Sequence, residues 1–141
     1  MQIFVRVDSS TNIGTGHAMR CLTLAKQLKK MNFDVEFISK KLGGDISQLV
    51  KKNGFKVHHL DKKLTISKSS IKDAEQTIKI INKNSKILPY LITDHYDLDI
   101  KWEKRLREFV NKIIVIDDLA DRKHDCDLLI DQNFYNNLKN R

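Results

Sequence analysis

Apolar positions along the chain follow two alternating periods. Residues 2–7 carry Ile3, Phe4, Val5 and Val7, a β-rich run. After a polar, glycine-containing turn, Ala18, Cys21, Leu22, Ala25, Leu28 and Met31 recur at spacings of three or four. That is the pattern of an amphipathic helix of about four turns. Residues 35–38 predict a second strand. Gly43, Gly44 and Asp45 open a short helix through Ile46, Leu49 and Val50, stopped at Asn53 and Gly54. Residues 55–60 predict a third strand and 61–70 a loop rich in lysine and serine. Ile71, Ala74, Thr77, Ile78 and Ile81 mark another helix. A strand over 88–93, a helix over 99–110, a strand over 112–116 and a short last strand over 126–130 complete the pattern.

Strands alternating with helices imply βαβ units and a parallel sheet. Right-handed crossovers would place helices on both faces. The expected fold is a three-layer, Rossmann-like α/β domain. Ligands of such sheets bind beyond the carboxyl ends of the strands. Asp8-Ser9-Ser10 and the Gly14-Thr15-Gly16-His17 turn follow the first strand. Asp94-His95-Tyr96 follows the fourth, Asp117-Asp118 the fifth, and Asp131-Gln132-Asn133 the last. The fold would gather these distant residues on one rim.

Composition narrows the picture little. The 141 residues fit one domain by a prior of roughly 150 residues per domain. The longest apolar run, 87–92, is six residues and holds the only proline, whereas a membrane-spanning helix needs about 20. No membrane association is expected. The opening residues show no basic head followed by an apolar stretch, so a cytoplasmic location is expected. Cys21 and Cys126 are too few for a disulfide framework and read as free thiols. The net charge of +8 comes from twenty lysines and six arginines, with no arginine cluster and no interleaved aromatics. It reads as a solvated lysine surface and predicts no nucleic-acid partner.

The glycine-rich turn is the sharper signal. It departs from the dinucleotide fingerprint at Met19 and from the phosphate-binding P-loop because no Gly-Lys-Ser/Thr follows. Anion binding at the helix N-terminus stays open. His17 falls in the first helical turn, where the macrodipole disfavours an imidazolium. A neutral imidazole is what a general base requires; a histidine that packs or caps at a helix start is the alternative. Arg20 lies one turn on, facing the same rim or solvent. Asp8 would orient Arg6, Arg20 or His17, or cap a turn. His58, His59, His95 and His124 lack metal-ligand spacing, and the aspartates after the later strands suit turns and caps better than magnesium. No metal and no cofactor are expected.

Three ordered blocks resemble one family. The first is Arg6-x-Asp8-Ser9-Ser10-x-x-Ile13-Gly14-x-Gly16-His17-x-x-Arg20-x-Leu22-x-Leu24-Ala25. The second is Asp94-His95-Tyr96 with Trp102-Glu103. The third is 115–122 with His124, Cys126-Asp127-Leu128-Leu129 and Asp131-Gln132-Asn133. Together they resemble the PseG/SpsG-type UDP-2,4-diacetamido-2,4,6-trideoxy-β-L-altropyranose hydrolases of pseudaminic acid biosynthesis, often described as spore coat polysaccharide biosynthesis proteins. That family is related to GT-B glycosyltransferases such as MurG, built of two Rossmann-like domains around a cleft. The resemblance implies an N-terminal domain over 1–135, the start of a linker over 136–141, and a C-terminal UDP-binding domain absent from this chain, which alone would be inactive. It implies a UDP-sugar substrate, His17 as the base that activates water, Tyr96 lining the sugar site, and Asp8, Gly14, Gly16 and Arg20 shaping the loop around His17. A related GT-B glycosyltransferase or epimerase, or a non-enzymatic basic binding domain, are the competing readings.

Overall fold

The computed structural model describes residues 1–61 and 69–133. Six strands form one parallel sheet: β1 (Gln2–Val7), β2 (Asp34–Ser39), β3 (Lys56–His59), β4 (Tyr90–Asp94), β5 (Lys112–Ile116) and β6 (Leu128–Ile130). Their order is β3-β2-β1-β4-β5-β6, with every pair parallel. This is the doubly wound order in which the winding reverses between the two central strands. The Rossmann-like α/β expectation is met.

Helices α1 (Gly16–Lys30) and α2 (Ser47–Lys52) cover one face; α3 (Ser70–Asn84) and α4 (Ile100–Leu106) cover the other. The two-residue period of β1 divides its side chains between these layers. Ile3, Val5 and Val7 pack with Ala18, Cys21, Leu22 and Ala25 of α1. Phe4 packs on the opposite side with Ala74, Ile81, Trp102 and Leu106. Both faces of the central strands are therefore buried, and their sequences read as apolar runs rather than as alternation.

Element ends differ from the expected ones for local reasons. Met31 ends no apolar stripe: it is the C-cap of α1 and 66% exposed. The fourth strand begins at Tyr90, after Pro89, and leaves Ile87 and Leu88 exposed. The helix expected over 99–110 stops at Leu106 and tightens into a 3₁₀ turn, Arg107–Phe109. The last strand starts at Leu128 because Asp127 turns its carboxylate back to accept the Ile113 N–H at 2.9 Å. Of the expected loop over 61–70, residues 62–68 lie outside the described residues, as does the expected linker over 136–141. Both cysteines are free thiols. No described helix is long and apolar enough to cross a membrane.

Candidate active site

The site begins with a turn that only certain residues can make. Ser10 and Gly14 exchange backbone hydrogen bonds, Gly14 N–H to Ser10 C=O at 2.8 Å and the reverse at 3.3 Å. The Ser10 hydroxyl accepts the N–H groups of Asn12 and Ile13. Closing this loop puts Gly14 at φ +86°, a left-handed conformation that strains any residue with a Cβ. Gly16 is different. A Cβ there would meet no atom within 4 Å and its φ is not positive, so the fold itself does not demand glycine. We expect Gly14→Ala to lower stability by about 1 kcal/mol. Gly16→Ala should leave the urea midpoint unchanged; a fall there would show that Gly16 serves the fold.

The turn delivers His17 into the first turn of α1, whose N-cap, Thr15, makes no side-chain capping bond. A pocket of about 290 Å³ opens there, at the carboxyl ends of β1 and β4, where the winding reverses. Asp8, His17, Asp94, His95 and Tyr96 line it, with Asn12, Ile13 and Asp97 toward its mouth. Of the expected site residues, Asp8, His17 and Tyr96 thus share one wall. Arg20 stands behind it, and the two glycines shape its approach.

The helix dipole is not the only field acting on His17. Its Nδ1 lies 2.5 Å from Asp94 Oδ1. Asp94 is buried at the end of β4, and burial alone would raise its carboxyl; hydrogen bonds from Arg20 and His17 outweigh that and hold it below the ordinary range. Arg20 grips both Asp94 oxygens, through Nε and, at 2.5 Å, through Nη2. An ionised carboxylate only accepts, so Nδ1 carries the proton and donates it to Asp94. In the neutral imidazole this tautomer puts the lone pair on Nε2, which has no protein partner among the described residues. Asp94, which the sequence reading placed on the rim without a role, is the residue that contacts both His17 and Arg20. The cue was its place at the end of a central strand.

His95 shows the contrast. Its Nε2 donates to Asp8 at 2.9 Å and its Nδ1 accepts the Asp97 N–H at 3.0 Å. Both ring nitrogens are engaged, so of the two pocket histidines only His17 offers a free one. Asp8 in turn serves Arg6 and His95, not Arg20 or His17. It accepts Arg6 Nη1 at 2.6 Å, Arg6 Nη2 at 3.0 Å and the Lys40 N–H at 2.7 Å. Burial works against its charge; the Arg6 guanidinium and the His95 bond hold its carboxyl far below the usual range.

Tyr96 sets its ring edge-on to His17, with centroids 4.5 Å apart, and donates its hydroxyl to Asp118 at 2.9 Å. Asp117, Asp125 and Asp127 are engaged in ion pairs and turns away from the pocket lining. Asp117 accepts the Ala120 N–H and pairs with Arg122, while Asp125 and Asp127 pair with Arg107. Arg122 also donates to the backbone carbonyls of His95 and Leu98, which ties the β4 and β5 exits together. No group of three or more metal-ligating side chains converges among the described residues.

Fold and pocket together define a doubly wound α/β domain with an Asp–His pair at its switch point. No family model matches the chain. It is similar over nearly its whole length to proteins of known sequence. A UDP-2,4-diacetamido-2,4,6-trideoxy-beta-L-altropyranose hydrolase of Campylobacter jejuni is 34% identical over 138 residues, which cover 96% of this chain and 43% of that enzyme. An uncharacterized protein of Methanocaldococcus jannaschii is 29% identical over 143 residues, 100% of this chain and 27% of that protein. The chain therefore spans less than half the length of these curated relatives.

Proposed function

We propose that this chain is the sugar-side, N-terminal domain of a nucleotide-sugar hydrolase that releases UDP from a UDP-2,4-diacetamido-2,4,6-trideoxyhexose, as in pseudaminic acid biosynthesis. The observation that carries the reading is His17, held through Nδ1 by Asp94, with Nε2 in the pocket and without a partner among the described residues. The likeness to the Campylobacter enzyme supports the substrate class, and the 43% coverage supports a second domain that would hold UDP. At about 290 Å³ the pocket is at the small end for ligand sites, in keeping with a site that takes the sugar and leaves the nucleotide elsewhere.

In this mechanism a water sits against Nε2 of His17. Nε2 takes its proton as the water oxygen attacks the anomeric carbon. The bond from that carbon to the diphosphate oxygen breaks, and UDP leaves with the electron pair. Asp94 stabilises the imidazolium that forms and keeps the ring aimed. A single displacement inverts the anomeric centre. UDP leaves readily, so a carboxylic acid to protonate it is not required. Asn12 and Asp97, whose side chains have no described partner, offer an amide and a carboxylate to the sugar's hydrogen-bonding groups.

The test uses the protein with its second domain present and a panel of UDP-sugars without acceptor. Free sugar and UDP should appear with the diacetamido substrate, and His17→Ala should abolish turnover while UDP still binds. Transfer that needs an acceptor, or epimerisation without UDP release, would point to a different activity of the same fold.

A further inference from the structure

Five residues from three separate segments form a closed ring of contacts around the base. His17 donates to Asp94, Asp94 accepts from Arg20, and Arg20 Nη1 reaches Asp118 Oδ2 at 3.4 Å. Asp118 Oδ1 accepts the Tyr96 hydroxyl at 2.9 Å, and the Tyr96 ring returns to His17. Asp118 itself does not line the pocket. It sits at the exit of β5, the strand beyond β4, and uses one oxygen for each arm of the ring.

We propose that Asp118 is a positioning residue for the reaction: it tethers Tyr96 against the His17 imidazole and steadies Arg20 behind Asp94, so that the base is held from its ring face as well as from Nδ1. This rests on the hydrolase reading given above. The geometry explains why a half-exposed tyrosine, 42% accessible, would keep one orientation. An untethered ring at the pocket mouth has alternative rotamers, each of which removes the edge contact. Tyr96 is held in place by its hydroxyl and works through its ring. Charge is arranged to match: Arg20 lies between two carboxylates, and neither is left facing the other without a cation.

Two measurements test this. In the protein with its second domain, Asp118→Ala and Tyr96→Phe should each lower kcat about 10-fold with KM within about 2-fold. Because both remove the same tether, the double variant should be no slower than the slower single one. Asp118→Asn, which keeps an acceptor for the tyrosine hydroxyl, should recover most of the Asp118→Ala loss at an unchanged Tm. Losses that multiply to about 100-fold, or that fall on KM, would overturn the proposal. The second measurement needs no turnover. The His17 ring-proton resonances of the Asp118→Ala protein should move toward those of Tyr96→Ala. Resonances that stay at wild-type positions would also overturn it. A wild-type protein that hydrolyses no nucleotide sugar would defeat the hydrolase reading, while the resonances would still report whether Asp118 holds the ring.

Discussion

Asp94→Asn is expected to lower kcat about 10³–10⁴-fold in the protein with its second domain, with KM nearly unchanged. The reason is tautomeric. Asp94 accepts the Nδ1 proton of His17 and, through both oxygens, the Arg20 guanidinium. In either orientation the asparagine NH2 replaces an oxygen that accepts from Arg20; with the carbonyl kept for Arg20 Nε at the Oδ2 place, the amide N–H at the Oδ1 place faces Nδ1. The imidazole proton then moves to Nε2, the atom that has to receive the water's proton. The variant should retain its Tm within a few degrees, and nitrogen shifts of His17 should report the exchanged tautomer. Since the two residues act as a unit, Asp94→Asn combined with His17→Ala should be no slower than His17→Ala alone. A variant with near-wild-type kcat would remove Asp94 from the mechanism.

Arg6→Met should be strongly destabilising, by about 3–5 kcal/mol at pH 7. Arg6 is fully buried in β1 and pairs with Asp8 on one side and with Asp73 of α3 on the other, at 2.6 Å in each case. Burial opposes its charge, and the two carboxylates overcome that and raise its pKa. Trp102 adds an indole N–H to Asp73 at 3.0 Å. Taking away the guanidinium leaves two buried carboxylates near each other, with Lys40 Nζ 4.0 Å from Asp73 and the His95 ring on Asp8 as their remaining basic partners among the described residues.

The pH dependence distinguishes this mechanism from simple loss of packing. In the wild type, Asp8 and Asp73 titrate below their ordinary value of 3.8. Their contribution is complete above that value and fades as pH falls through it, because the unfolded chain then binds more protons than the native one. In Arg6→Met the same carboxyls are buried and repel each other, so their pKa values rise and protonation favours the native state. The stability gap between the two proteins should shrink as pH is lowered from 7 toward 3, read as urea midpoints. A gap that stays constant would mean that Arg6 serves mainly as filler.

The fold was legible because its central strands are apolar on both faces while its helices are apolar on one. Ile3, Val5 and Val7 meet α1, and Phe4 meets α3 and α4, so the run over 2–7 reads as a strand buried on both faces, followed by the helical stripe that covers one of them. His17 was legible from its own neighbourhood, a glycine-rich turn feeding a helix. Its partner was not. Asp94 lies 77 residues away, and their meeting depends on β4 pairing directly with β1, with Val7 opposite Asp94. Period and propensity say that both strands exist; they carry no signal for strand order. Arg6 was hidden for a different reason. Its charge within an apolar run marks it as unusual, but the aspartate that meets it from α3 sits on a helix whose register against the sheet only packing decides. Of the partners expected for Asp8, Arg6 is found and Arg20 and His17 are not; His95 is the partner the sequence did not suggest.

The pairing of β1 with β4 also has a consequence for how the molecule reaches its native state. β1 is one of the two central strands, and of its two neighbours β2 follows closely in sequence whereas β4 begins only at Tyr90. Until that later segment arrives, one edge of β1 has no partner, and its apolar side chains depend on the β1–α1–β2 crossover unit for cover. Loops this long close slowly, and parallel sheets gain from non-local pairing only after the closure entropy has been met. The rate-limiting step of refolding should be the docking of β4. Since that same event brings Asp94 to His17, the imidazole resonances of His17 would serve as a clock for completion of the sheet.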